Sequence, residues 1–500
     1  MAQTNDPVLD LDDIQGDILQ GLQKNSENFI FFKIQDVQAF KNAVKANVIG
    51  RITTALLVRE REDINRRRKH QNEPPVNQWL GLNLSFTKDG LTQLLGTNRL
   101  QLDPSFERGA ADPATISALN DPATSTWVQK FQSDRIDGVF FVTGPGKAFV
   151  ESHSSELLNV LGNSISVVYS EIGNVRPDAE RGHEHFGFRD GVSQPGIRGL
   201  TQRSNPTAEP NQGLPGQDLI WPGQFVFGYP GQDPNDPLKP AQPPATPAPW
   251  LNNGAYMVFR RLEQKVPEFS TFVAQQAAAL GMDSELLASR MVGRWRSGAP
   301  LELTPLQDDT GLGPDATRNN NFVFGNDPFQ RACPYAAHIR KTNPRDDIVI
   351  NGKVNKAAVQ IRRIIRAGIP FGPEVGPGET STTESRGLMF VCYQTSIPNQ
   401  FEFVQSKWAN NPGFVFGKVR PAGGGSGPVT TGPSNTAGPG FDLIIGQAAG
   451  AGIRMIDEPV PNYPVGDKRS TLDAPHPFVI LTAAAYFFVP SITAVRTVLT

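Results

Sequence analysis

The segment 181–196, RGHEHFGFRDGVSQPG, concentrates side chains that can exchange protons or bind metals. Within it Asp190 lies between Gly187 and Gly191, and glycine backbone can adopt the positive φ that admits a close neighbour to a carboxylate. We therefore predict a loop that presents Asp190 as an acid or base. The simpler interpretation is a turn in which Asp190 accepts hydrogen bonds from nearby backbone N–H groups.

Other chemistries suggested by single residues are less well supported. His183 and His185 flank Glu184, and side chains two apart on an extended segment share a face, but no third ligand follows in an HExxH or CxxC pattern, so a zinc site is not favoured. Ser193 stands in GVSQPG rather than GxSxG, which argues against a serine hydrolase. The TGPGK segment at 143–147 lacks the spacing of a phosphate-binding loop.

Two further segments hold groups that complement a carboxylate. The segment 333–345, CPYAAHIRKTNPR, places His338 in a predicted short helical turn, and the segment 363–374, RIIRAGIPFGPE, ends an apolar strand with Arg366. A histidine, an arginine and a carboxylate on a rigid scaffold are what a haem peroxidase needs as axial ligand, stabilising cation and proton shuttle. Taken alone, the histidine has an ordinary interpretation as a core or surface side chain, and the arginine as a salt-bridge partner.

The first half of the chain alternates between strand and helix patterns. Short apolar runs predict strands at 29–34, 79–86, 138–144 and 165–173, and helical segments lie at 36–49, 91–96 and around 148–162. This order approximates the strand–helix–strand–strand–helix–strand arrangement of a ferredoxin-like unit, with one extra helix.

The proline-rich stretch 229–249 cannot continue a helix or a central strand, so we place a boundary there, between domains 1–230 and 231–500. Beyond it, strands are predicted at 253–264, 361–369, 387–397 and 478–489, and helices at 266–281, onward to about 296, and at 401–410. The predicted fold is therefore α+β, with two ferredoxin-like halves and antiparallel sheets. The glycine-rich stretch 421–440 is predicted to be a flexible insertion.

Composition narrows the classes of partner. The 500 residues, 38% of them apolar and 19% charged, describe a soluble globular protein with more than one ordinary core. A net charge of −2 argues against nucleic acid or an anionic membrane as partner, and no apolar run of about 18 residues is present. The N-terminus lacks the regions of a signal peptide, so the chain is either intracellular or a mature form. Two cysteines cannot make a disulfide framework.

Six segments, in order along nearly the whole chain, resemble the dye-decolourising peroxidases, a haem enzyme family with two ferredoxin-like halves, and most closely its long fungal members. They are IQGDILQG at 14–21, GFRDGVSQPGI at 187–197, AAHIRKTNPR at 336–345, IIRAGIPFGP at 364–373, GLMFVCYQTSI at 387–397 and FDLIIGQ at 441–447. GxxDG alone is a weak signal, but its combination with the histidine and RxGIPFG segments is a strong one. The resemblance implies a barrel of the dimeric α+β type, haem b in the C-terminal half, an extracellular location, and a monomer or homodimer.

The resemblance also implies roles for individual residues on the side of the haem where peroxide reacts. Asp190 resembles the acid–base that takes a proton from peroxide and returns it to the leaving oxygen. Arg366 resembles the arginine that stabilises the departing oxygen. Leu388 and Phe390 match the apolar residues that wall this pocket.

On the opposite side of the haem, His338 resembles the iron ligand. Asp442 resembles the carboxylate that accepts the histidine's other N–H, and Arg345 resembles a partner of a haem propionate. Trp408, among polar neighbours, is expected to be exposed and resembles the surface tryptophan that passes electrons from bulky dyes. Phe371 stands where many fungal members have tyrosine, which is expected to remove one oxidisable surface residue.

The implied reaction is two-electron reduction of hydrogen peroxide at ferric haem, followed by one-electron oxidations of dyes and phenolic aromatics. It should proceed at acid pH, because the ordinary pKa of aspartate is about 3.9. Three alternatives remain open. A haem-binding, transport or chlorite-type protein would share His338 but has less need of Asp190. A haem-thiolate enzyme would use Cys333, and a non-catalytic pair of α+β domains would bind no haem.

Overall fold

The apolar runs of the first half form antiparallel strands in the structure, which is a computed structural model. The strands are β1 (Ser26–Ile34), β2 (Gly81–Phe86), β3 (Gly138–Gly144) and β4 (Ile165–Asn174). They lie in the order β4-β1-β3-β2. This is the strand order of a ferredoxin-like unit, so the predicted arrangement of the first half is confirmed.

The second half repeats this order with different strands. They are β5 (Ala255–Gln264), β6 (Ile365–Arg366), β7 (Ile369–Phe371), β8 (Gly387–Gln394) and β9 (Val479–Val489). β5 lies between β9 and β8, and the short strands β6 and β7 pair with the far side of β8. The single strand predicted at 361–369 is therefore wrong in extent, because helix and turn occupy the residues before Ile365 and the backbone leaves the ladder between β6 and β7.

The two halves close into one barrel. β2 pairs with β9 at Phe86 and Phe488, and β4 pairs with β7 at Gly173 and Phe371. Each junction is made by one residue pair, and the two-residue strand β6 lies at the margin of the sheet.

Helices connect the strands. They are α1 (Val37–Asn47), α2 (Ala55–His70), α3 (Lys88–Leu95), α4 (Pro104–Arg108), α5 (Pro113–Leu119), α6 (Lys130–Ser133), α7 (Lys147–Leu161), α8 (Val266–Leu280), α9 (Ser284–Val292), α10 (His338–Thr342), α11 (Lys356–Gln360), α12 (Phe401–Phe403) and α13 (Ile492–Ala494); α12 and α13 continue as π-helices at Val404–Ala409 and Val495–Leu499. The carboxylates of Asp36 and Asp283 cap α1 and α9 by accepting from first-turn N–H groups. α9 ends before Gly293, at a φ of 97°, so the helix predicted to reach about 296 is shorter.

Short elements complete the chain. Antiparallel pairs join Gly231–Gln232 to Pro240–Ala241, Val349–Ile350 to Lys353–Val354 and Met455–Glu458 to Ser470–Asp473, and a parallel pair joins Gly196–Ile197 to Leu219–Ile220. Single 3₁₀ turns lie at Ile49–Arg51, Thr124–Thr126, Gly162–Ser164, Asp178–Glu180, Pro222–Gln224, Pro249–Leu251 and Phe324–Asn326.

The alternation of β1 shows where the core lies. Phe29 and Phe31 contact Phe259 of β5, which is not a neighbouring strand, so these rings meet inside the barrel. The next residue, Phe32, faces the other way and packs on Phe40 of α1. Successive side chains of a strand point to opposite faces, so the apolar run FIFFKI supplies both the barrel interior and the helix layer.

The structure describes residues 6–96, 102–244, 246, 248–328, 330–415, 440–447 and 477–500, together with the backbone of 455–458 and 470–473. The predicted flexible insertion at 421–440 lies outside the described residues, apart from Gly440. In the part of the chain that is described, no helix combines the length and apolarity needed to cross a bilayer.

Candidate active site

A cavity of about 260 Å³ adjoins the outer face of the second half's sheet. Leu262 of β5 and Leu388 and Phe390 of β8 line it, whereas Phe259 of β5 points into the barrel. This separation follows from the two-residue period of a strand. The two residues predicted to wall the pocket, Leu388 and Phe390, thus border the same space as His338, Asp190 and Arg366.

His338 opens the short helix α10, as predicted, and its side chain lines the cavity. Its Nδ1 lies 2.8 Å from Oδ2 of the fully buried Asp442. In the tautomer that donates from Nδ1 to this carboxylate, Nε2 has the free lone pair that metal ligation needs. Oδ1 of Asp442 accepts from the N–H groups of Ile444 at 2.8 Å and Ile445 at 3.0 Å, which fixes this carboxylate. The ring is therefore oriented as a metal-ligating histidine requires.

Asp190 and Arg366, far apart in sequence, form an ion pair. Nη1 of Arg366 donates to Oδ1 of Asp190 at 2.9 Å, and Nη2 donates to the carbonyl oxygen of Ser193 at 3.1 Å. Oδ1 also accepts from the N–H of Gly191 at 2.6 Å. Two donors thus engage one carboxylate oxygen, and among the described residues no donor bonds to Oδ2, which is left for an incoming proton.

Two opposing effects act on the pKa of Asp190. Removal from water raises the pKa of the carboxyl, but the Arg366 charge and the Gly191 N–H more than offset this, so the pKa lies below its ordinary value. The side chain is nevertheless 37% exposed, because it faces the cavity. Asp190 is therefore an ionised, accessible base at mildly acid pH.

The loop that presents Asp190 has the predicted glycine geometry. Gly187 and Gly191 have φ of 89° and 72°, the region that favours glycine. A Cβ at Gly187 would collide with Nη1 of Arg296. The carboxylate of Glu184 braces the turn by accepting from the N–H groups of Phe186 at 2.9 Å and Phe188 at 2.8 Å.

The His183–Glu184–His185 segment is not arranged as a metal site. Glu184 is occupied by backbone donors, and Nε2 of His185 lies 2.8 Å from the carbonyl oxygen of Phe371. No group of three or more His, Cys, Asp or Glu residues that could hold a metal ion is found in the described ranges.

Five arginines that line the cavity have no carboxylate within ion-pair distance among the described residues; Arg189 and Arg362 are two of them, and the other three are Arg294, Arg345 and Arg363. Nη1 of Arg345 donates to carbonyl oxygens of Asn320 and Phe322, both at 3.0 Å. Burial, reinforced by neighbouring arginine charges, lowers the pKa of Arg294 to about 9 and those of Arg345 and Arg363 to about 10. The cavity wall therefore carries more positive than negative side chains, which suits an anionic ligand.

Only Arg345 of these three was predicted from the sequence. The available signal for Arg363 was its place in RRIIR, since it lies three residues before Arg366 along the same segment. Arg294 stands in GRWRSG and carried no recognisable pattern. Arg366 itself was expected, but its ion pair with Asp190 joins two residues that are distant in sequence and is therefore a tertiary contact.

The structure corrects the expectation for Trp408. Its side chain is only 3% exposed, stacks on Phe414 with ring centroids 5.1 Å apart, and lines the cavity. The polar neighbours in sequence misled the prediction because residues 404–409 form a π-helix, whose Val404 joins Trp408 and Phe414 in one apolar cluster. The expected surface position is therefore wrong.

Position 371 is not at the surface either. Phe371 is 1% exposed and lies beneath the guanidinium of Arg261, 4.0 Å from the ring centroid. A tyrosine there would be just as enclosed, so the expectation that Phe371 removes an oxidisable surface residue is wrong. The reason is that residue 371 belongs to β7, at the junction with β4.

A second cavity, also about 260 Å³, reaches the same ion pair from another side. Asp190 and Arg366 line both cavities, and Lys24, Arg176 and His183 line only the second. A small molecule entering the second cavity would therefore meet Asp190 without crossing the apolar wall formed by Leu388 and Phe390.

Two family models match the chain. The model described as the DyP dimeric alpha+beta barrel domain matches residues 13–177, and the model described as Dyp-type peroxidase, C-terminal, matches residues 242–415. Together they span most of both halves of the barrel, including His338 and Arg366.

Individual proteins are similar over almost the full chain. Peroxidase 2 of Mycetinis scorodonius is 37% identical over 505 residues, covering 98% of this chain and 88% of that protein. The dye-decolorizing peroxidase of Exidia glandulosa is 37% identical over 500 residues, covering 97% and 86%. A solved structure of a dye-decolorizing peroxidase in complex with 2,6-dimethoxyphenol superposes with a TM-score of 0.78 at 34% identity, covering 98% of this chain and 100% of that one.

Proposed function

The chain belongs to the dye-decolourising peroxidase family, and we propose that its cavity binds haem b and that Asp190 and Arg366 act there on hydrogen peroxide. Members of the family are peroxidases, so the reaction class follows from membership. The observation that carries the residue assignment is the shared cavity: a histidine braced by a buried carboxylate and a carboxylate paired with arginine line one space.

The residues of the cavity fit haem. Nε2 of His338 would bind the iron, and Asp442 would strengthen the histidine as a ligand by accepting its other N–H. The apolar side chains of Leu388 and Phe390 suit a flat macrocycle, and the unneutralised charges of Arg345 and its neighbours suit two propionates. When bound, haem supplies the iron at which peroxide is reduced and the oxidising equivalents for substrate.

The chain's own residues handle the protons and charge. Oδ2 of Asp190 takes the first proton from hydrogen peroxide and returns it to the oxygen that leaves as water. Arg366 stabilises the negative charge on the separating oxygens and keeps Asp190 ionised. Because the pKa of Asp190 is depressed, the base stays active as the pH falls, which supports an acid pH optimum.

We propose small phenolic aromatics and bulky dyes as reducing substrates. A related structure holds 2,6-dimethoxyphenol, which supports the phenolic class for this chain as well. Bulky dyes must give up electrons at the protein surface, and Trp408, which borders the cavity without reaching the surface, is proposed as an internal relay on that route.

The haem-thiolate alternative has little support. Cys333 is fully buried in an apolar cluster with Trp295 and Phe324 and does not line the cavity of His338. Burial raises the pKa of its thiol far above the ordinary value, so the thiolate needed for ligation is strongly disfavoured.

The ion pair of Asp190 and Arg366 argues against a haem carrier, since transport needs no acid–base group.

The test is the visible spectrum of the purified protein after reconstitution with haem. We expect a Soret band in the native chain and its loss or weakening in His338→Ala. His153→Ala is a matched control, because His153 also pairs with a carboxylate, with Nδ1 3.2 Å from Oε2 of Glu156, but lies on α7 outside the cavity. A full Soret band and full peroxidase activity in His338→Ala would refute the assignment of the axial ligand.

A further inference from the structure

Arg366 belongs to β6, which pairs with another strand on one side only. The unpaired N–H and C=O groups of such an edge need other partners. The side-chain amide of Gln194 supplies both: Nε2 donates to the carbonyl oxygen of Arg366 at 2.6 Å, and Oε1 accepts from its N–H at 3.3 Å. Gln194 thus takes the place of a neighbouring strand at this residue.

Gln194 belongs to the loop that carries Asp190. Within this loop the Asp190 carboxylate and the Ser193 carbonyl bind the guanidinium of Arg366, while Gln194 binds its backbone. The loop is anchored in turn, because Nδ2 of Asn320 donates to the carbonyl oxygen of Val192 at 2.8 Å. The backbone of Arg366 and its guanidinium group are therefore both hydrogen-bonded to the same short segment, residues 190–194.

We infer that Gln194 is a positioning residue for the peroxide reaction, which holds the backbone of Arg366 in the register that aims its guanidinium at Asp190. This inference rests on the function proposed for Asp190 and Arg366. A flexible arginine side chain anchored on a loose edge would sample positions away from the carboxylate. A misplacement of about 1 Å can cost a factor of roughly 100 in rate, so the two hydrogen bonds that hold this backbone can affect the reaction.

Gln15 provides a matched control for the structural effect of losing an amide that bonds both backbone groups of a strand residue. Nε2 of Gln15 donates to the carbonyl oxygen of Leu84 at 2.8 Å, and Oε1 accepts from the N–H of Leu84 at 2.9 Å. A side-chain amide thus bonds both backbone groups of one residue on β2 in the first half as well, although Nε2 of Gln15 also donates to the carbonyl oxygen of Pro490 at 2.8 Å. Gln15 lines neither of the two cavities.

The experiment compares Gln194→Met and Gln15→Met as haem-loaded proteins. Methionine keeps the length of the side chain but cannot form either of the two hydrogen bonds that the glutamine amide makes. Stopped-flow gives the second-order rate with hydrogen peroxide across pH, cyanide titration of the ferric protein gives ligand affinity, and hydrogen exchange gives the protection of the Arg366 amide.

For Gln194→Met we expect the peroxide reaction to be roughly tenfold slower. The acid limb of its pH–rate profile, where the rate falls as the pH decreases, should move to higher pH. Cyanide affinity should change and hydrogen exchange at the Arg366 amide should be faster, while the KM for a small phenol stays unchanged. For Gln15→Met we expect a lower unfolding temperature with the peroxide rate and its pH profile unchanged. Gln194→Asn keeps the amide but is too short to bridge both groups, and it should fall between Gln194→Met and the native protein.

An unchanged rate and pH profile in Gln194→Met would overturn the inference, as would equal losses in Gln15→Met. If Gln194→Met does not fold, Gln194→Asn decides by the same criteria. If Arg366→Leu itself leaves the peroxide reaction intact, the proposed function of Arg366 has failed instead, and the two failures are thus distinguishable.

Discussion

Replacing Arg366 by leucine should change the pH dependence of the peroxide reaction as well as its rate. The Asp190 pKa is held below its ordinary value against the effect of burial, and Arg366 is the largest of the groups that lower it. Without the arginine, burial acts with less opposition, so the pKa rises. A base must be ionised to accept a proton, and the rate should therefore begin to fall at a higher pH than in the native enzyme.

The magnitude follows from the geometry of the pair. An opposite charge at contact distance lowers a carboxyl pKa by about 1–3 units. The two side chains, 2.9 Å apart, are 30% and 37% exposed, so solvent screening favours the lower end. We therefore expect the acid side of the pH–rate profile to move to higher pH, in the direction set by the loss of the Arg366 charge. The plateau rate should also fall by roughly 100-fold, because the charge on the separating oxygens loses its stabilising cation.

Stopped-flow measurement of the second-order rate with hydrogen peroxide between strongly acid and neutral pH separates the two effects. Arg362→Leu is a suitable control, since Nη1 of Arg362 donates to the carbonyl oxygen of Asn399 at 2.6 Å rather than to Asp190. That variant should keep the native acid limb. A lower plateau in Arg366→Leu with an unmoved acid limb would show that Arg366 does not set the protonation of Asp190.

Two further predictions concern neighbouring roles. Asp190→Asn should retain haem but lose roughly 100-fold to 10,000-fold in the peroxide reaction, because an amide of the same shape cannot take a proton; native rates by stopped-flow would move the acid–base role to another group. Trp408→Phe should keep most of the packing against Phe414 and the native rate with peroxide while lowering the turnover of a bulky anthraquinone dye, and equal dye turnover in steady-state assays would exclude a relay through Trp408.

Several features of the fold could be predicted from local sequence. Apolar runs such as FIFFKI and GVFFVTG became β1 and β3 because a strand with both faces covered needs apolar residues throughout. The glycines around Asp190 indicated a loop with positive φ, and the structure has it. His338 was expected in a short helical turn, which α10 confirms. These are effects of neighbouring residues, so the sequence pattern contains them.

The resemblance named Asp442 and Arg345 as well, and the structure places Asp442 2.8 Å from His338 and Arg345 in the cavity wall. Their roles toward haem stay predictions, as do the boundary between residues 230 and 231 and the extracellular location. The nature of the bound haem and the number of subunits are predictions in the same sense.

What tertiary structure decided was which distant groups meet and which face is covered. Trp408 has polar sequence neighbours, yet the π-helix and Phe414 bury it, because burial depends on what packs against a side chain. The excess of positive charge around Arg294 and Arg363 likewise arises only when separate loops converge on one cavity. Asp190 and Arg366 come together because β6 pairs with β8 on one side and is hydrogen-bonded to Gln194, in the loop of Asp190, on the other. No local sequence period encodes a contact between residues so far apart.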